Sequence, residues 1–142
     1  MTTIAYRDGI LAADTAIFDR GVYCGATQKI VRAPDGTMGG GAGALGEVKA
    51  ALQWIKNGAT GDPPKLSDDS EVIVIRPDGS VWWLGSGSEW TQINAEYVAI
   101  GSGFRIALGA MAAGATAQRA IEICADLDNM TRRPICIERL GQ

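Results

Sequence analysis

Short apolar runs separated by Asp-Gly turns constrain this chain more than any other feature. Residues 2–7 and 10–13 read as strands and meet at Asp8-Gly9. Residues 71–75 and 81–84 meet around Pro77-Asp78-Gly79, and Pro34-Asp35-Gly36 makes another turn. Asp-Gly tolerates the positive φ angles of a tight hairpin turn, so the strands it joins lie antiparallel and side by side. A further strand region lies within 22–31, with Lys29 near its end. Residues 37–41 form a strand thinned by glycine, which marks a place where something approaches the backbone closely. Residues 97–100 and 134–140 supply two more strands.

Helical spacing appears in three places. Residues 45–55 put Leu45, Val48, Leu52 and Ile55 on one face, and Asn57-Gly58 closes that helix. Residues 60–69, with Gly61, Pro63 and Pro64, form a polar loop. Residues 104–113 are helical, Gly114 breaks the helix, and Thr116 caps another that runs to 127. Ala120, Ile121, Cys124 and Leu127 give it a buried stripe. The order is strands, helix, strands, two helices, strand. It predicts an α+β fold: two mainly antiparallel sheets stacked face to face and covered by helices, a four-layer αββα sandwich. Residues 1–142 form a single domain long enough for a core.

Composition excludes several functions. The net charge is −3 and the longest basic cluster is Arg132-Arg133, so no nucleic-acid partner is expected. No apolar run approaches the ~20 residues of a membrane span. The first residues lack the basic start and apolar stretch of a secretory signal, and the expected compartment is the cytoplasm. Cys24, Cys124 and Cys136 are odd in number and widely spaced, which favours buried free thiols over disulfides or a metal site. No cofactor is expected: the glycines at 39–43 are not followed by Gly-Lys-Ser/Thr, so they form no phosphate loop.

The chain contains no histidine. That rules out Ser-His-Asp and Cys-His triads and zinc sites built on His. A hydroxyl nucleophile then needs another base, and an α-amine can serve. Thr2 follows Met1, and Met1 is generally removed before a small residue. Thr2 would then carry its hydroxyl and a free amine on adjacent carbons, the amine having a reference pKa near ~8.

Thr2-Thr3-Ile4, Leu11-Ala12-Ala13-Asp14, Gln28-Lys29-Ile30, Gly40-Gly41-Ala42-Gly43 and Ala99-Ile100-Gly101-Ser102-Gly103 occur in this order. Together they resemble the proteasome β-subunit family, in particular its bacterial HslV-type branch of N-terminal-nucleophile (Ntn) hydrolases, over nearly the whole chain. The resemblance implies that Thr2 is the nucleophile and its own amine the base, through a water. It implies that Lys29 stands beside the nucleophile as a cation and that Asp14 pairs with it. Gly43 would offer its N–H to the oxyanion. Ser102 would lie near the terminal amine, with Asp128 and Thr131 as the supporting Asp-x-x-Ser/Thr. Gly41 would lie near the floor of the pocket for the residue before the cut, leaving room for a large apolar side chain.

Each residue also has a plainer reading. Asp14 could end a strand, Lys29 could guard a sheet edge, the glycines could form a helix-entry loop, Ser102 could cap a helix, and Asp128 could close one. Trp54, Trp82, Trp83 and Trp90 suit a core or a subunit contact. One departure is visible. The family has a pair of long helices between the glycine-rich strand and the next hairpin; here one helix is followed by a loop, so one helix is missing and ring contacts are altered. No long propeptide is expected, so exposure of Thr2 would depend on removal of Met1.

The expected function is therefore a threonine endopeptidase acting on unfolded polypeptide or peptide. Its expected assembly is a homo-oligomeric ring, with an ATPase unfoldase as a further partner. Two alternatives stay open: a catalytically silent assembly protein of the same fold that retains Met1, and an amidohydrolase acting on a small amide.

Overall fold

The computed structural model describes residues 2–85 and 89–141. These form strands β1 (Thr3–Arg7), β2 (Ile10–Ala13), β3 (Ala16–Asp19), β4 (Val22–Ala26), β5 (Ile30–Arg32) and β6 (Met38–Ala42), then helix α1 (Leu45–Lys56). Strands β7 (Glu71–Ile75), β8 (Val81–Leu84), β9 (Trp90–Ile93) and β10 (Tyr97–Gly101) follow. Helices α2 (Phe104–Ala112) and α3 (Ala117–Leu127) and strand β11 (Cys136–Arg139) complete the chain.

Side-chain alternation builds the layers, because successive strand residues point to opposite faces. In β1 and β2, Ile4, Tyr6, Leu11 and Ala13 join one apolar cluster with Ile73 and Ile75 of β7. This is the layer between the sheets. The intervening Ala5 and Ala12 join Ala107, Met111, Ala120 and Ile121 of α2 and α3. On the far side, Val72 and Val74 join Ala51 and Ile55 of α1. Helix, sheet, sheet and helix pair are thus stacked in the expected αββα order.

The sheet orders are β10-β1-β2-β11 and β5-β6-β7-β8-β9, and all described pairings are antiparallel. Asp8 and Gly9 have φ of 52° and 78°, the two positive angles that the Asp-Gly turn predicts. A Cβ on Gly40 would overlap the Lys29 carbonyl oxygen and crowd Ile4, so glycine lets β6 lie tight against its neighbours.

Four expectations need correction. The region 22–31 is not one strand. β3 and β4 form a separate hairpin turning at Arg20 and Gly21 (φ 50° and 81°), and Lys29 lies just ahead of β5. That hairpin is held by Arg132, whose guanidinium lies 5.5 Å from the Phe18 ring centre and 4.6 Å from that of Tyr23. Leu127 is 67% exposed, because α3 ends there and Asp128 turns inward instead. Leu45 also lies off the buried face of α1, which consists of Val48, Ala51 and Ile55. Cys24 is exposed on the hairpin; Cys124 is buried as expected, and all the cysteines are free.

Between β6 and β7 there is one helix and then a loop. Beyond α1, the outer face of the five-stranded sheet carries Trp90, packed on Trp54 of α1 and on Trp82 at ring distances of 5.0 and 6.2 Å. Among the described residues no helix is long and apolar enough to cross a membrane.

Candidate functional site

Thr2 stands where β1 and β10 end side by side. Thr3 pairs with Gly101, and the Ser102 N–H donates to the Thr2 carbonyl at 2.7 Å. Gly101 has φ +97°, and a Cβ on it would overlap the Thr2 carbonyl oxygen. Only glycine permits this approach. Met1 lies outside the described residues.

Asp14 follows β2 and is fully buried at 0% exposure; Lys29 is at 4%. The Lys29 Nζ donates to Asp14 Oδ1 at 3.1 Å, and the Thr3 N–H donates to the same oxygen at 3.0 Å. Asp14 Oδ2 accepts from the Ala16 and Arg132 N–H groups at 3.2 and 3.3 Å. A buried ion pair pays heavily for lost hydration, and backbone donors of this kind offset that cost. Burial lowers the Lys29 pKa below the ordinary lysine value, and the charge and hydrogen bond of Asp14 oppose that shift. So deep a lysine is no edge-strand guard.

Behind Thr2 runs a chain of hydroxyls. Ser102 Oγ and Thr131 Oγ1 both donate to Asp128 Oδ2, at 3.0 and 2.5 Å. Thr131 Oγ1 also lies 2.8 Å from Thr3 Oγ1, which accepts from the Gly103 N–H at 3.0 Å. Because Thr131 gives its proton to the carboxylate, the Thr3 hydroxyl donates to Thr131. Cys124 Sγ donates to the Gly103 carbonyl at 3.3 Å. Its pKa is pushed up to about 11, mainly by burial and further by the charges of Asp128 and Asp14. Thr3 is the member that sequence reasoning missed. The only signal was a second threonine, which a strand turns to the opposite face from Thr2.

Thr2 and Gly43 line two hollows. The larger, about 380 Å³, is walled by Lys29, by Ile17 and Phe18 of β3, and by Leu45, Val48 and Leu52 of α1. Leu45 is thus exposed because it faces this hollow rather than the sheet. The smaller, about 190 Å³, is walled by Asp69, Glu71, Gly101 and Ser102. Gly41 lines neither; a Cβ on it would sit 3.6 Å from Val48 Cγ1, so Val48 stands between Gly41 and the hollow. Of the residues singled out from the sequence, Thr2, Lys29, Gly43 and Ser102 face the hollows. Asp14, Asp128 and Thr131 stand behind them. Among the described residues no group of His, Cys, Asp and Glu is placed to hold a metal ion.

Solved structures share this arrangement of layers. HslV from Trypanosoma brucei matches with a TM-score of 0.72 at 18% identity, covering 96% of this chain and 97% of that one. The fold is that of HslV. BPH from Thiobacillus denitrificans matches with a TM-score of 0.66 at 18% identity, over 99% of this chain and 98% of its own. In complex with epoxomicin it matches with a TM-score of 0.69, again at 18% identity and over 99% of each chain. No family model matches the sequence, and no curated protein does. The HslV likeness therefore rests on three-dimensional arrangement, and it bears out the four-layer αββα sandwich expected from the sequence.

Proposed function

We propose that the chain is a threonine peptidase of the proteasome and HslV type, working through Thr2 once Met1 is removed. One observation carries this reading: Thr2 lines a hollow with Lys29, whose ammonium is held by the fully buried Asp14. The Thr2 amine takes the proton of its own hydroxyl through a water, and Oγ1 attacks the substrate carbonyl carbon. Lys29 favours the neutral amine and the developing alkoxide. The Gly43 N–H receives the oxyanion, a contact typically worth about 3–4 kcal/mol in the transition state. Collapse breaks the C–N bond, and the Thr2 ammonium returns its proton to the leaving nitrogen. Water then attacks the ester by the same route and frees the acid. Ser102, Asp128 and Thr131 hold the amine end in place, and the larger hollow receives the side chain before the cut.

The epoxomicin complex of the structurally similar BPH supports testing the same compound on this chain. Thr2→Ala is expected to abolish cleavage of fluorogenic peptides while circular dichroism stays unchanged. Wild-type turnover in that variant would remove Thr2 from the mechanism. Unfolded polypeptide as substrate, a homo-oligomeric ring and an ATPase partner belong to the same proposal.

A further inference from the structure

The layer between the sheets ends in a second cavity. β10 packs over β7, β1 over β6 and β2 over β5, so β8 and β9 overhang the four-stranded sheet. Under the overhang lies a chamber of about 300 Å³, walled by Ile73, Val81, Trp83, Ile93, Val98 and Phe104. Glu71 lines both this chamber and the small hollow beside Thr2. β10 makes the same passage: Val98 and Ile100 face the chamber, and Gly101 faces the hollow. The two spaces are therefore consecutive along one seam, with Glu71 at the junction. The Trp83 side chain and the Gly101 backbone are its polar neighbours. Burial raises its pKa, and those two neighbours oppose that shift.

A carboxyl at the mouth of an apolar chamber complements an amine whose adjacent carbon bears an apolar side chain. Breaking a peptide bond at Thr2 releases such an amine. The Lys29 side of Thr2 takes the acyl half, which leaves the Glu71 side for the nitrogen. We propose that this chamber binds the apolar side chain of the residue just after the cut, with Glu71 receiving that residue's nitrogen. The inference rests on the peptidase reading above. The leaving nitrogen takes the proton handed back by the Thr2 ammonium, then a second proton from water, and faces Glu71 as an ammonium.

Quenched peptides with one acyl half and Leu, Phe, Ala or Asp after the cut test the proposal. Leu and Phe are expected to exceed Asp in kcat/KM by about tenfold or more, the scale on which an apolar pocket discriminates. Val98→Phe, which fills the chamber, should bring that ratio close to one. An aminocoumarin amide of the same acyl half has no residue after the cut and reports the Thr2 chemistry alone. If it is cleaved while the peptide series is flat, this inference falls and the peptidase reading stands. If nothing is cleaved, the peptidase reading falls, and calorimetric titration with L-phenylalaninamide decides the chamber. Wild type should bind it, and Val98→Phe and Glu71→Gln should each bind about tenfold more weakly. No binding by wild type, or equal binding by both variants, overturns the proposal.

Discussion

Burial depresses the pKa of Lys29 while Asp14 props it up, and both effects act on a group that shares a hollow with Thr2. If its positive charge assists Thr2, kcat/KM falls on an alkaline limb below the ordinary lysine value, because Lys29 loses its proton sooner. Stability runs in the opposite direction. Between the folded and ordinary pKa values the unfolded chain holds more protons, so stability rises with pH in that window. Lys29→Met should remove both features, as read in rate profiles and denaturation curves. Lys29→Ala and Asp14→Asn should each cut turnover strongly, and the double variant should be little worse, since residues acting as one unit are not additive. Losses that multiply independently would break the pair apart. Asp14→Asn should also cost about 1–3 kcal/mol of stability, because three backbone N–H groups rely on that carboxylate. The positions of Asp14, Lys29 and Ser102 in the sequence were legible through ordered short motifs. Thr3, Glu71 and the backbone donors around Asp14 were not, because their partners lie far away in sequence and carry no local pattern.

Elements differ in how plainly the sequence announces them. The β1–β2 and β7–β8 hairpins carry Asp-Gly, and both form with the expected strand boundaries to within a residue. The β3–β4 hairpin turns at Arg20-Gly21, a pair without that signature, and its second strand is mostly exposed, so neither turn chemistry nor alternation marked it. β9 reads Trp-Thr-Gln-Ile, too short to show a period. The sequence marks Thr116 as a helix cap, and its side chain accepts from the Arg119 N–H at 3.1 Å. Thr116→Ala should cost about 1 kcal/mol in chemical denaturation. Peptide cleavage should be unaffected, since Thr116 lines neither hollow.

Among the described residues few large apolar groups stand in water. The tryptophans, expected in a core or at a subunit contact, largely pack against one another and the core. Val22 and Tyr23, on the outlying hairpin, are 64% and 40% exposed and adjacent in sequence. An exposed apolar patch commonly marks a contact with another chain. A homo-oligomer larger than a dimer is expected, and Val22→Asp should shift it towards monomer in light scattering coupled to size exclusion. A monomeric wild type with full peptidase activity would contradict enclosure of the site. The four-layer arrangement itself followed from hairpin turns and alternation, while the cavity under β8 and β9 followed only from how the two sheets are offset. In the proposed mechanism Thr2 is a nucleophile with its own amine as base. Treating the protein with epoxomicin or another electrophilic peptide, then weighing the intact chain and its N-terminal fragment, tests it most directly. Loss of Met1 and one adduct on Thr2 are expected, the adduct absent from Thr2→Ala and slowed in Lys29→Ala. A chain that keeps Met1 and takes no adduct at Thr2 would contradict it.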